Sequence, residues 1–160
     1  MTIIKPRIVA KGAMTMVGVE VRTNNRNEAD PTVAQIPQIW KRYLQEGLAG
    51  RIGNRTDPKA TVAVYRNYES DHTGEYSYLL GAEVKQPGSV PAGMVSFTIE
   101  PANYMVFESR GSMPQALIDT WGTIWRDFTP SGARRRAYVA DFEIHNVNTP
   151  AQVAIFIGVR

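Results

Sequence analysis

Near its end the chain carries Asp141-Phe142-Glu143-Ile144-His145, and strand alternation puts Asp141, Glu143 and His145 on one face. Two carboxylates and an imidazole placed together can hold a cation, accept hydrogen bonds or move a proton. A plain solvated strand face would account for the same three residues. Glu143 is the leading candidate because it lies between Phe142 and Ile144. A carboxylate in apolar surroundings is costly to bury alone, so it needs a cationic or donor-rich partner or its pKa rises. The rings point the same way. All three tryptophans, Trp40, Trp121 and Trp125, lie in segments of helical period, and Trp121 and Trp125 share a face. Tyrosines gather at Tyr65, Tyr68, Tyr76, Tyr78, Tyr104 and Tyr138. Rings around one carboxylate suit a planar cation, each contact contributing about 1 kcal/mol. The candidate ligand-binding set is therefore Glu143, Trp121, Trp125, Tyr65, Tyr104, His145 and Trp40.

Other chemistries find less support. The chain has no cysteine, which removes disulfides, thiol nucleophiles and thiolate metal sites and suits a reducing compartment. Neither His72 nor His145 has a second histidine at ligand spacing, so no metal and no cofactor is expected. There is no glycine-rich phosphate loop, no G-x-S-x-G and no paired-carboxylate signature. Net charge is +3, and the basic residues are scattered apart from Arg134, Arg135 and Arg136 after a Pro130-Ser131-Gly132 turn. Without a helix-turn-helix pair, no specific DNA binding is expected. No signal peptide and no apolar run of membrane-spanning length is present, so the expected location is cytoplasmic.

The elements that must position these residues come in two similar sets. Met16–Thr23 is an alternating strand, a helix follows from Pro31 to about Gly50, and ATVAVYRNYE and EYSYLLGAEV read as two strands. Then NYMVFESRG is a strand, Ser112–Phe128 a helix capped by Ser112, and RRAYVADFEI and AQVAIFIGV two strands. The pattern predicts an α+β fold of duplicated strand-helix-strand-strand units, approximately 14–85 and 94–159, in one domain over 1–160. The units should form an antiparallel sheet with both helices on one side, a pseudo-twofold axis and a central cleft. On EYSYLLGAEV both strand faces hold apolar residues, which places helices on one side and the cleft on the other. Gln86–Gly93 joins the copies, Met94–Ile99 and Tyr104–Arg110 read as a hairpin, and Thr23–Asp30 is a polar loop beside the first helix.

The runs VAVYRNYESDHTGEYSYLLGAEV, YMVFESRGSMPQALIDTWGTIWRDF and RRAYVADFEIH resemble the effector-binding domain of AraC-type and multidrug-responsive transcription activators. The resemblance extends to stand-alone proteins similar to the DNA gyrase inhibitory protein, and covers about Met14 to Val159. It implies a cleft for bulky, often cationic aromatic compounds, with an acidic residue on a late strand that Glu143 matches. His145 stands where that family commonly has tyrosine, a departure that bears on ligand choice and pH dependence. The resemblance also places Trp121 or Trp125 and a tyrosine near the cleft. With no DNA-binding domain in the sequence, the expected activity is binding of hydrophobic, cationic small molecules. The alternatives are hydrolysis of strained electrophiles through Glu143, as some stand-alone relatives perform, or inhibition of a protein partner.

Overall fold

A computed structural model describes residues 2–128 and 135–160, side chains from residue 6 onward. Pro130, Gly132 and Arg134 therefore lie outside the described residues. The strands are β1 (Thr2–Lys11), β2 (Met14–Asn24), β3 (Ala60–Arg66), β4 (Glu75–Val84), β5 (Val95–Ile99), β6 (Ala102–Arg110), β7 (Ala140–Asn146) and β8 (Gln152–Val159). The helices are α1 (Asn25–Glu28), α2 (Ile36–Gln45) and α3 (Gln115–Asp127). All described strands join one antiparallel sheet in the order β1-β6-β8-β7-β3-β4-β2-β5.

That order is symmetric about the β7–β3 seam. β8 answers to β4, β6 to β2 and β1 to β5, which is the expected duplication with a pseudo-twofold axis. It also corrects the sequence reading at the β5 edge and adds a strand at the other. Ile3–Val9 belongs to a full strand, β1, which pairs with β6. β5 and β6 do not form a hairpin, because β5 crosses to β2. Each half lends its leading strand to the other half. The two-residue connection Glu100-Pro101 lacks the Asn-Gly or Gly-Gly type that a tight hairpin demands.

The register fixes the two faces. Val19, Leu80, Ala63, Glu143, Ile155 and Phe107 stand in one row across β2, β4, β3, β7, β8 and β6. Ile39 and Tyr43 of α2 pack on the β2–β4–β3 part of this face, and Trp121 and Ile124 of α3 on the β6–β8 part. Both helices thus cover the same side, each supplying an apolar stripe at three- and four-residue steps. The opposite face forms one core running from Met14 and Leu79 through Val64 and Phe142 to Phe156 and Val106. Strands that are not neighbours touch there. The Arg66 guanidinium on β3 lies 3.6 Å from the Phe97 ring on β5, and Lys11 Nζ on β1 lies 5.9 Å from the Phe142 ring on β7, each pair three strands apart. Neighbouring strands are spaced about 4.8 Å apart, so a flat sheet would hold these groups well apart. The sheet therefore curls around its helix-free face.

Helix boundaries differ in detail from the sequence reading. Pro31 and Thr32 do not open α2. The Asp30 carboxylate instead takes the Thr32 amide and hydroxyl in a turn, and the helix begins at Ile36. Gln35 gives α2 no side-chain cap. Glu28, arriving from α1, supplies it by accepting the Gln35 and Ile36 amides at 2.9 Å each. α3 likewise starts at Gln115 without a hydroxyl cap from Ser112.

Glycine permits one close approach in the sheet. A Cβ on Gly81 would fall 1.9 Å from the Val17 carbonyl oxygen, and one on Gly18 would fall 2.3 Å from that of Leu80. Backbone is on the receiving side in both cases, so neither clash is relieved by a rotamer change. Gly81→Ala is expected to destabilise the protein by about 2–4 kcal/mol, read as a lowered urea midpoint. A loss below about 0.5 kcal/mol would show that β2 and β4 have room to part.

Candidate ligand cleft

Between α2 and α3 the helix-bearing face opens into a cleft of about 810 Å³. The sequence reading put the cleft across the sheet from the helices, and the structure corrects this. The helix-free face is filled by the core described above, whereas α2 and α3 sit on separate halves of the sheet and leave the seam uncovered.

Glu143 lies at the floor, 2% exposed. Its Oε2 accepts hydrogen bonds from the Tyr65 hydroxyl and the Trp121 indole N–H, each at 2.7 Å. Its Oε1 is 2.8 Å from His145 Nε2. Hydrogen bonds to a charged group each contribute about 1.5–3 kcal/mol, which offsets the cost of burying the carboxylate. Ala63 stands opposite Glu143 in the register. Its small side chain leaves the row open for Tyr65, two residues along the same strand, to reach across.

First-half residues complete the walls. Trp40 on α2 donates its indole N–H to the Tyr78 hydroxyl at 2.8 Å and meets the His145 ring edge-on at 4.8 Å. Tyr65 packs on Tyr76, Tyr78 and Trp121 with centroids 5.0–5.4 Å apart. Trp125 is the outer ring, 6.3 Å from Trp121 and partly exposed. His72 lies over Trp125 at 6.5 Å, and Asn25, Glu28 and Ala29 form the rim beside α2. The polar loop expected at Thr23–Asp30 thus borders the cleft through α1.

Asp141 shares the strand face with Glu143 but is neutralised differently. Arg136 Nη2 lies 2.6 Å from Asp141 Oδ2, the Gly158 amide donates to Oδ1 at 2.8 Å, and the Tyr68 hydroxyl makes a very short contact to Oδ2. Burial works against the charge on Arg136, but Asp141 and Tyr68 outweigh it and hold the guanidinium above its ordinary value. Among the described residues no lysine or arginine pairs with Glu143; its one basic neighbour is the His145 imidazole, which carries charge only when protonated.

Six of the seven candidate residues line this cleft: Glu143, Trp121, Trp125, Tyr65, His145 and Trp40. Tyr104 does not. It is 1% exposed on the opposite face, edge-on to Phe142 at 5.1 Å. Its neighbours Met105 and Phe107 point to the helices, so alternation along β6 sends Tyr104 away. Sequence reasoning missed Tyr76, Tyr78, Tyr68 and Arg136 as lining residues. The first two carried a signal, because they alternate on β4 on the same side as Leu80 and Ala82.

A family model described as Cass2, integron-associated effector binding protein, matches residues 7–159. The chain belongs to that family. Its relatives include YobU of Bacillus subtilis, 26% identical over 148 residues that cover 89% of this chain and 90% of YobU. It is also 29% identical to the transcriptional regulator BrlR of Pseudomonas aeruginosa over 140 residues, 88% of this chain but 47% of BrlR. Among solved structures, the integron cassette protein VCH_CASS2 of Vibrio cholerae superposes with a TM-score of 0.78 at 28% identity, covering 97% of this chain and 95% of that one. SAV2435, solved bound to tetraphenylphosphonium, superposes with a TM-score of 0.80 at 20% identity, covering 98% of this chain and 94% of that one. As a Cass2-family effector-binding protein, the chain presents no group of three or more metal-ligating side chains among the described residues. None of its described helices is long and apolar enough to cross a membrane.

The cleft tyrosines respond to their surroundings. Burial, and after it the Glu143 charge, pushes Tyr65 and Tyr78 well above the ordinary phenol value, and burial followed by the Glu28 and then the Glu143 charge does the same to Tyr76. Burial and then the Asp141 charge do the same to Tyr68. These groups keep their protons when folded at pH values where an unfolded chain loses them. Their contribution to stability is therefore complete below about pH 10 and declines above it. Tyr65→Phe removes one such proton, so the slope of unfolding free energy against pH should flatten by about 1.4 kcal/mol per pH unit above that point. Denaturant titrations in the alkaline range would read it, and parallel slopes for the two proteins would refute the assignment.

Proposed function

We propose that the cleft binds a bulky, hydrophobic, ring-bearing cation and releases it unchanged. The observation that carries this reading is Glu143, a buried carboxylate held by donors, with no lysine or arginine ion pair among the described residues, on the floor of an aromatic-walled cleft of about 810 Å³. The faces of Trp40, Tyr65, Trp121 and Trp125 offer negative π density to a cation, and the carboxylate behind them adds its charge. At about 5 Å and an effective dielectric near 20, that charge contributes on the order of 3 kcal/mol. The relative SAV2435, which shares the fold, holds tetraphenylphosphonium.

The geometry weighs against Glu143 as a general base. A base on water needs open lone pairs, and three of the roughly four on this carboxylate already accept from Tyr65, Trp121 and His145. Membership of the effector-binding family and the cleft's apolar lining fit capture of a ligand.

Titration with tetraphenylphosphonium, followed by tryptophan fluorescence, tests the proposal. Glu143→Gln keeps the side chain's size and removes its charge. It should weaken tetraphenylphosphonium binding by roughly 30- to 150-fold, about 2–3 kcal/mol, while the neutral triphenylphosphine oxide changes little. Equal cation affinity in the two proteins would remove Glu143 from the site.

A further inference from the structure

We propose that His145 determines which charge the cleft accepts. This rests on the cation-binding reading and adds a specificity-determining residue to it.

Of the three donors that hold Glu143, Tyr65 and Trp121 share Oε2, and neither changes charge at neutral pH. Among the described residues, Oε1 is held by His145 alone, at 2.8 Å. The imidazole is also the partly open member of the set, its side chain 22% exposed beside a carboxylate at 2%. It lines the cleft and is propped edge-on against Trp40. A neutral imidazole donating its Nε2–H leaves the pair with the full negative charge of Glu143. An imidazolium in the same place cancels that charge. The floor is then anionic and takes a cation, or neutral and takes an uncharged molecule of similar shape.

The surrounding groups leave this choice to His145. On the strands, Tyr65, Tyr76 and Tyr78 face the pair and stay protonated. Asp141 is tied to Arg136, and Glu28 is tied to the amides at the start of α2. The two long helices face the pair with Trp40 and Trp121, which do not titrate. His72, the chain's other histidine, sits at the rim against Trp125 and makes no ion pair with Glu143. Proton and ligand cation therefore compete for one carboxylate. By linkage, a bound cation must also lower the proton affinity of His145.

Tetraphenylphosphonium suits the test because its charge does not titrate, so any pH dependence belongs to the protein. Its affinity for the unaltered chain should fall by about tenfold between pH 8 and pH 5. In His145→Gln, which keeps an N–H donor but cannot titrate, the profile should be flat. His72→Gln should keep the slope, whatever its effect on affinity. A flat profile in the unaltered chain, or the full slope surviving in His145→Gln, overturns the proposal. The imidazole C–H resonance of His145, followed by NMR in the ligand-free protein, separates this from failure of the parent reading. Its titration should move to lower pH in Glu143→Gln. If tetraphenylphosphonium binds at no pH, the cation-binding reading fails. In that event an unmoved His145 titration overturns the His145 assignment as well, and a lowered one upholds the carboxylate–imidazole coupling.

Discussion

A carboxylate almost out of reach of water has to be held by the protein around it, and the arrangement of this molecule follows from that requirement at Glu143. The donors come from three places. Tyr65 is on β3, Trp121 on α3 and His145 on the same strand as Glu143. No single repeat contains them all. The seam between β3 and β7 is the pseudo-twofold axis, and it is where the first half's tyrosine meets the second half's glutamate. The duplication thus does more than double an element. It creates a junction with α2 and α3 standing back on either side, and the cleft is the space they leave.

The halves are alike in outline and different in charge at this junction. Each long helix turns a tryptophan N–H toward the cleft floor. Trp40 finds the neutral hydroxyl of Tyr78, and Trp121 finds the carboxylate of Glu143. A second carboxylate, Asp141, lies two residues away on the same face, yet its charge is cancelled locally by Arg136. A buried ion pair gains little net stability, because desolvation consumes most of the attraction. Here its effect is electrostatic: with Asp141 cancelled, Glu143 is left on the cleft floor as a carboxylate that no lysine or arginine among the described residues neutralises. An approximately symmetric aromatic box thereby acquires a polarity that the symmetry alone would not give.

Much of this could be read from the residues. Alternation over Asp141–His145 was enough to put both carboxylates and the imidazole on one face, and helical spacing was enough to identify the stripes bearing Trp40, Trp121 and Trp125. What escaped were relations between segments. The pattern of β5 and β6 announces two strands but not their partners, so the exchange of leading strands was invisible. Tyr104 was misplaced for the same reason. Period two separates the faces of one strand, but only the register with β8 and β7 says which face of β6 matches that of Glu143. Arg136 lies outside the regular strands, in an isolated bridge to Val159, and no periodicity aims it at Asp141. Glu28 caps α2 from a separate short helix, while Pro31 and Thr32 imitate a helix start that an Asp30 turn makes instead.

The width of the helical stripes bears on why the cleft stays open. α3 needs Ala116, Thr120, Trp121 and Ile124 to cover its part of the sheet, and these are buried. Ile118 and Trp125 add apolar surface that the core does not use, at 56% and 38% exposure, and both line the cleft. Exposure alone is not the argument, since Leu44 on α2 is 68% exposed and lies away from the cleft. The argument is coincidence of place: on α3 the unused apolar surface faces the same space as the Glu143 carboxylate. Water in that space meets poorly hydrated rings above and a charge it can hardly reach below. A molecule with an apolar periphery and a positive centre satisfies both surfaces at once. An apolar ligand without charge satisfies only the rings, and a small hydrated cation satisfies neither.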